Sequence, residues 1–284
     1  MDIKLIASDL DGTIIDRNNH ISEKNFEAIS EIHNKNIDFV VCTGKSYSVS
    51  QKICEQFDAS YGIFGNGTQI IDLKTNKEIM KKTISKQDLL FIITLAKRNN
   101  FHVHIYTDKQ IISEKLEYMD LRNYVLKKDN ANDNLDFLII EDILAYIENN
   151  NLNVFSLVVT SENTSLSEFQ KILSINNNID SVFINKRGKY RDNIINKDYE
   201  YLNISPENVN KNEALTFLAN YLKISKNNIL AIGDNINDLE MVKNAGIGIA
   251  VHEAIEELQS VATYVTTLTA TEGAFAEGIL KYIK

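Results

Sequence analysis

The stretch Leu5-Ile6-Ala7-Ser8-Asp9-Leu10-Asp11-Gly12-Thr13 decides the fold. Its apolar start reads as a buried strand, which ends in two carboxylates at i and i+2 and then a glycine turn. A strand that drops acids at its C-terminal tip is how an open α/β sheet presents chemistry. Taken alone, the pair could equally be a turn or a helix cap, so its meaning depends on what else converges on it.

Working outward, the first third repeats one rhythm. After strand 3–8, Ser22 caps a helix over 23–34 with Phe26, Ile29 and Ile32 on one face. Strand 37–42 follows and ends in Thr43-Gly44-Lys45, then a helix over 46–57 and a short strand 61–64 ending in Gly65-Asn66-Gly67. Residues 68–72 and 77–82 read as a hairpin around Lys74-Thr75-Asn76. This alternation predicts a doubly wound parallel sheet.

Near residue 84 the rhythm changes. Ser85 caps a helix over 86–98, and 101–106 with 110–113 reads as an adjacent strand pair. Helices are expected near 116–127, 140–149 and 164–175, with strands at 154–160, 181–185, 189–195 and 199–204. The mixture predicts a separate α+β domain, 84–206, inserted into a core made of 1–83 and 207–284. The parallel pattern resumes with a helix over 211–222, a strand over 228–232 that ends in Gly233-Asp234-Asn235-Ile236-Asn237-Asp238, and a helix over 237–244. Strand 246–251, a helix over 253–259, strand 264–265 and a helix over 273–283 complete it.

Composition narrows the function classes. The chain has 284 residues, 44% hydrophobic and 24% charged, as a soluble globular protein does. A net charge of −9 argues against nucleic acid as a partner, which needs a basic face. No apolar run reaches the roughly 18 residues of a membrane span, and the N-terminus lacks the basic start and long apolar region of a secretory signal. Cys42 and Cys54 form no CxxC pair and read as buried reduced thiols. A cytoplasmic protein is expected, monomeric or weakly self-associating.

Four strand tips or loops thus carry polar groups toward one sheet edge: Asp9 with Asp11, Thr43, Lys211, and Asp234 with Asp238. Four carboxylates gathered at one edge repel without a cation, and hard carboxylate oxygens suit Mg²⁺. A cation with open positions beside a lysine and a hydroxyl suits a phosphate dianion. A carboxylate held against that phosphorus can attack it, and a second carboxyl two residues on can protonate the leaving oxygen and then activate water.

These motifs, in this order, resemble the four motifs of the haloacid dehalogenase-like (HAD) phosphatases. The insertion between Thr43 and Lys211 resembles the large α/β cap (C2B type) of the Cof-type subfamily, class IIB. So do Gly65-Asn66-Gly67, the run Ala245–Val251, and Tyr264-Val265-Thr266 before Glu272-Gly273. The resemblance implies a Rossmann-like HAD core and a Mg²⁺-dependent phosphatase with an aspartyl-phosphate intermediate. It implies a small phosphorylated metabolite as substrate, sugar phosphates first, with a cap that closes over it. Asp9 would be the nucleophile, and Asp11 the general acid/base with its carbonyl on the metal. Thr43 and Lys211 would hold the phosphoryl group, and Lys211 would also orient Asp9. Asp234 would bind Mg²⁺ directly, with Asp9 and Asp11, and Asp238 would support that shell. Leu10, Gly12, Gly44 and Asn237 would line the phosphate pocket.

Three positions depart from the family pattern: Lys45 where Arg is usual, Asn212 where Gly is usual, and His252-Glu253 where Gly-Asn is usual. They bear on substrate fit rather than on reaction type. A phosphotransferase or phosphomutase on the same core is the nearest alternative. A receiver-type phospho-acceptor and a catalytically silent binding protein are further ones, against which the intact Asp9/Asp11 pair argues.

Other residues read more simply. His102 and His104 share a strand face and, lacking a third ligand, point to the surface or the substrate rather than to metal. His20 and His33 read as structural, and Lys81-Lys82 as a solvated hinge. Tyr106, Arg122, Lys186, Arg187 and Arg191 are candidates to touch substrate.

Overall fold

The computed structural model describes residues 2–115, 136–162, 164–185 and 199–283. The expected helix near 116–127 and strand near 189–195 lie outside these residues, as do Arg122, Lys186, Arg187 and Arg191. The chain divides into two compact units, Met1–Lys81 with Val209–Lys284, and Lys82–Asn208.

The elements of the first part are β1 (Leu5–Ser8), α1 (Glu23–Asn34), β2 (Asp38–Cys42), α2 (Tyr47–Gln56), β3 (Tyr61–Phe64), a 3₁₀ turn (Gly65–Gly67), β4 (Gln69–Asp72) and β5 (Lys77–Lys81). The inserted unit holds α3 (Lys86–Arg98), β6 (His102–Thr107), β7 (Gln110–Ser113), β8 (Asp136–Ile139), α4 (Ile143–Asn149), β9 (Val154–Glu162), α5 (Ser167–Leu173), β10 (Ile179–Asn185) and β11 (Tyr199–Pro206). The chain then forms α6 (Lys211–Leu222), β12 (Ile229–Gly233), a 3₁₀ turn (Ile236–Asp238), α7 (Leu239–Asn244), β13 (Ile247–Ala250), α8 (Glu256–Val261), β14 (Tyr264–Val265) and α9 (Ala274–Leu280).

In the first unit eight strands run in the order β14-β13-β12-β1-β2-β3-β4-β5. The six from β14 to β3 are parallel, and the β4–β5 hairpin adds antiparallel strands at one edge. Each central strand feeds both faces. Ile6, Phe39, Val41 and Ile232 pack with Ala28 and Ile32 of α1 and Phe275 of α9. Leu5, Ala7, Val40 and Ala231 pack with Leu215 and Leu218 of α6. Strands covered on both faces read as unbroken apolar runs, which is why this sheet is visible in the sequence. Each fully buried Ile or Leu stabilises the layer by about 1.5–3 kcal/mol.

Strand β1 lies between β12 and β2, with Ser8 opposite both Ile232 and Val41. The chain winds outward from β1 in both directions, so this is the switch point where an open α/β sheet leaves a crevice beyond its C-terminal strand ends. Asp9, Thr43 and Asp234 are the residues that follow β1, β2 and β12.

The inserted unit is a second sheet of order β10-β11-β9-β6-β7-β8, antiparallel except for β7–β8. One face carries Val103, Ile105, Leu157, Val159, Leu202 and Ile204 and packs under α3, α4 and α5. Strand β8 is absent from the sequence reading, because Asp136-Phe137-Leu138-Ile139 is short and its parallel pairing with β7 is not a local signal. Helix α4 starts later than expected because the Asp142 carboxylate accepts from the Leu144 amide and caps it. Helix α5 is shorter than expected: the Ser165 hydroxyl accepts from the Ser167 amide, holding the chain in a local turn before the helix.

Candidate active site

The site is built on strand tips. Asp9 follows β1 with its amide on the Ile232 carbonyl and is 6% exposed. Lys211 is the first residue of α6, where the Asn210 side chain caps the helix by accepting from the Glu213 amide. The Lys211 ammonium is fully buried and lies 2.6 Å from Asp9 Oδ1 and 2.6 Å from Asp238 Oδ1. Asp238 is also fully buried, and its Oδ2 accepts from the amides of Asp234 (3.1 Å) and Asn235 (3.2 Å). Both Asp238 oxygens are therefore engaged by protein, tying the loop after β12 to Lys211.

Carboxylate oxygens of Asp9, Asp234 and Asp238 lie within 4.8 Å of one another. One lysine cannot balance three acids. Burial, opposed by Lys211, pushes the Asp9 carboxyl up to about 8. Burial and then the charge of Asp238 push Asp234 up to about 6. Burial alone would lower Lys211, but the charges of Asp9 and Asp238 hold it well above the usual lysine range. The set is all oxygen, crowded and short of positive charge, which fits a hard divalent cation such as Mg²⁺.

Gly12 makes the approach possible. Its φ is +83°, and a Cβ there would stand 2.4 Å from Asp234 Oδ2. A side chain at this position would meet the carboxylate that completes the cluster.

Thr43 is buried, and its Oγ1 accepts from the Lys45 amide at 3.1 Å. Lys45 reaches out with its ammonium 2.8 Å from Asp11 Oδ1, and both side chains are part-exposed. The Asp11 carboxylate faces this lysine and is not one of the three clustered acids. Asn212 sits in the first turn of α6, so the helix accommodates it where the resemblance calls for glycine. The His252 amide donates to Thr266 Oγ1, and Glu253 Oε2 accepts from the Ala270 amide.

Asn66 reads in the sequence as part of a turn and of the family resemblance, not as a site residue. Asn66, at φ +55° between two glycines, donates its amide to the Thr43 carbonyl and accepts at Oδ1 from Asn237 Nδ2 at 3.0 Å. It joins the loop that holds Thr43 to the loop that holds Asn237, and its side chain packs over Gly44. The available signal is its place in the loop after a parallel strand, two residues past the end of β3.

His102 and His104 are not surface residues, being 6% and 0% exposed. His102 Nε2 lies 3.0 Å from Ser113 Oγ, and His104 Nε2 lies 3.1 Å from the Tyr106 hydroxyl. His33 Nε2 meets the Phe57 carbonyl, a structural contact. Lys81 pairs with Glu78, while Lys82 donates to the Asn208 carbonyl. Both cysteines are free and buried. Among the described residues no helix is long and apolar enough to cross a membrane.

A family profile for haloacid dehalogenase-like hydrolases matches residues 6–279. The chain belongs to the haloacid dehalogenase-like hydrolases. This hydrolase is 28% identical over 283 residues to a Bacillus subtilis 5-amino-6-(5-phospho-D-ribitylamino)uracil phosphatase, YwtE, covering 93% of each chain. It is 25% identical over 281 residues to a second B. subtilis protein of the same name, YcsE, covering 96% of this chain and 93% of that one. Among solved structures, a haloacid dehalogenase-like hydrolase from Bacteroides thetaiotaomicron superposes with a TM-score of 0.79 at 23% identity, over 98% of this chain and 99% of that one.

Proposed function

We propose that this hydrolase is a Mg²⁺-dependent phosphatase acting on small phosphorylated metabolites through a phosphorylated Asp9. The observation that carries the reading is Asp9 at the β1 tip, fixed by the Lys211 ammonium at 2.6 Å, with Asp11 two residues on. Asp9 and Asp234, with the Asp11 carbonyl, would hold the cation, and Asp238 would position Lys211 and the Asp234 loop. Bound there, Mg²⁺ neutralises charge on the phosphoryl oxygens and on the crowded acids.

The protein steps follow from the groups present. The Asp9 carboxylate attacks phosphorus, the bond to the leaving oxygen breaks, and that oxygen takes the proton of the Asp11 carboxyl. Water then attacks the phosphorus and gives its proton to the Asp11 carboxylate. The bond to Asp9 breaks, which releases phosphate and restores the carboxylate. Lys211 and the Thr43 hydroxyl hold the phosphoryl oxygens, so catalysis is mainly positioning and charge neutralisation.

Two relatives named for a phosphate ester on a ribityl chain support a phosphorylated sugar or polyol as the substrate class. The inserted unit is assigned the choice of leaving group. The test is hydrolysis of p-nitrophenyl phosphate with Mg²⁺, its arrest by EDTA, and its loss in Asp9→Asn. An Asp9→Asn variant that folds and retains full turnover rules out Asp9 as nucleophile. A screen of phosphorylated sugars and polyols identifies the substrate.

A further inference from the structure

We propose that Lys45 is a positioning residue for Asp11, fixing the orientation of the carboxyl group that serves the leaving oxygen. The inference rests on the phosphatase reading above and assigns a role to a side chain that reading leaves idle.

Both backbones are anchored. Asp11 forms a bridge with Ile15, and the Gly12 amide donates to the Ile15 carbonyl. The Lys45 amide donates to Thr43 Oγ1, and its carbonyl accepts from the Gly65 amide. From these held loops the two side chains meet at 2.8 Å through Asp11 Oδ1. That contact leaves Oδ2 as the oxygen able to exchange a proton with the reacting group.

The pair has no evident structural purpose. It is part-exposed on both sides, and such pairs contribute only about 0–1 kcal/mol to stability. It joins the loop after β1 to the loop after β2, at the point where the second acid of the Asp9/Asp11 pair must be aimed. Lysine suits this as a single point charge on one carboxylate oxygen, whereas a planar guanidinium fork tends to engage both oxygens.

The test is kcat/KM, which reports phosphoryl transfer to Asp9, for phosphate esters of graded leaving-group basicity, from p-nitrophenyl phosphate to glycerol phosphate. An acid that protonates the leaving oxygen matters most when that oxygen is basic. Lys45→Met is expected to lower kcat/KM for glycerol phosphate at least about tenfold more than for p-nitrophenyl phosphate, a modest share of the roughly 10²–10⁴-fold worth of a positioned acid. Asp11→Asn shows the same selectivity, and the Lys45→Met/Asp11→Asn double variant is no worse than Asp11→Asn alone. Lys45→Arg recovers part of the loss. The inhibition constant of inorganic phosphate stays within about threefold of wild type, because the lysine is not needed to bind phosphate.

An equal loss on every ester together with a weakened phosphate inhibition constant overturns the proposal and makes Lys45 a plain phosphate ligand. Unchanged rates on every ester overturn it as well. A folded wild-type chain inert toward all monoesters sinks the phosphatase reading itself, and this inference with it.

Discussion

Lys211 and Asp238 form an ion pair at 2.6 Å with both side chains fully withdrawn from water. The same carboxylate accepts from the amides of Asp234 and Asn235. Removing Asp238 leaves Lys211 paired with Asp9 alone and takes the acceptor from two backbone amides, which costs more than losing a surface pair. Asp238→Ala is expected to lose about 1–3 kcal/mol of stability in urea unfolding and to lower phosphatase turnover as Lys211 shifts. A loss below about 1 kcal/mol would mean that water satisfies the Asp234 and Asn235 amides in place of Asp238.

Gly12 offers a second, sharper perturbation. Alanine there meets a φ of +83° and an Asp234 oxygen at 2.4 Å from its Cβ. The strained backbone costs on the order of 1–3 kcal/mol. The larger effect falls on the carboxylate, which must move. Gly12→Ala is expected to weaken Mg²⁺ binding at least about tenfold, roughly 1.4 kcal/mol, read by calorimetric titration. Unchanged affinity would show that the Asp234 carboxylate is dispensable to the cation site.

Crowded acids also predict linkage between metal and folding. A ligand that binds only the native state stabilises it by about 2.7 kcal/mol at a hundred times its dissociation constant. Mg²⁺ is expected to raise the melting temperature and EDTA to reverse the rise. In Asp234→Asn the rise should vanish, although removing one of the crowded charges should leave the metal-free variant no less stable than wild type. A full Mg²⁺ response in that variant would place the cation elsewhere.

How much of this was legible beforehand follows from what each element needs. Strands β1, β2, β3 and β12 are covered on both faces, so their sequences are largely apolar runs that end at Asp9, Thr43, Gly65-Asn66 and Asp234. The first, second and last are legible as chemistry because carboxylates and a hydroxyl announce it. Asn66 was read as a turn, because its contribution is a bond to Asn237, 171 residues away, and no local pattern carries such a bond. Asp238 was legible as an acid near the metal but not as the partner of Lys211. That contact depends on α6 and the 3₁₀ turn meeting on one face of the sheet. Strand β8 is not legible for the same reason, since a short run becomes a strand only through its parallel neighbour.

The buried histidines of the inserted unit supply a pH prediction. Burial and the charge of Lys115 push His102 down to about 3, and burial and His102 push His104 to about 3, from 6.5. His104 Nδ1 has no hydrogen-bond partner to stabilise a proton there. Between about pH 3 and pH 6.5 the unfolded chain binds these protons and the folded one refuses them. Stability therefore rises with pH across that window, is fully present above about pH 6.5, and is lost as the pH falls below it. The slope reaches at most about 1.4 kcal/mol per pH unit for each histidine. Wild-type and His102→Gln/His104→Gln proteins can be unfolded in urea at intervals from about pH 7.5 to about pH 5, across the usual histidine range. The wild type is expected to lose stability more steeply in acid than the double variant, because glutamine has no proton to gain. Parallel pH profiles would mean that the folded state admits the protons, by opening this face of the sheet to water.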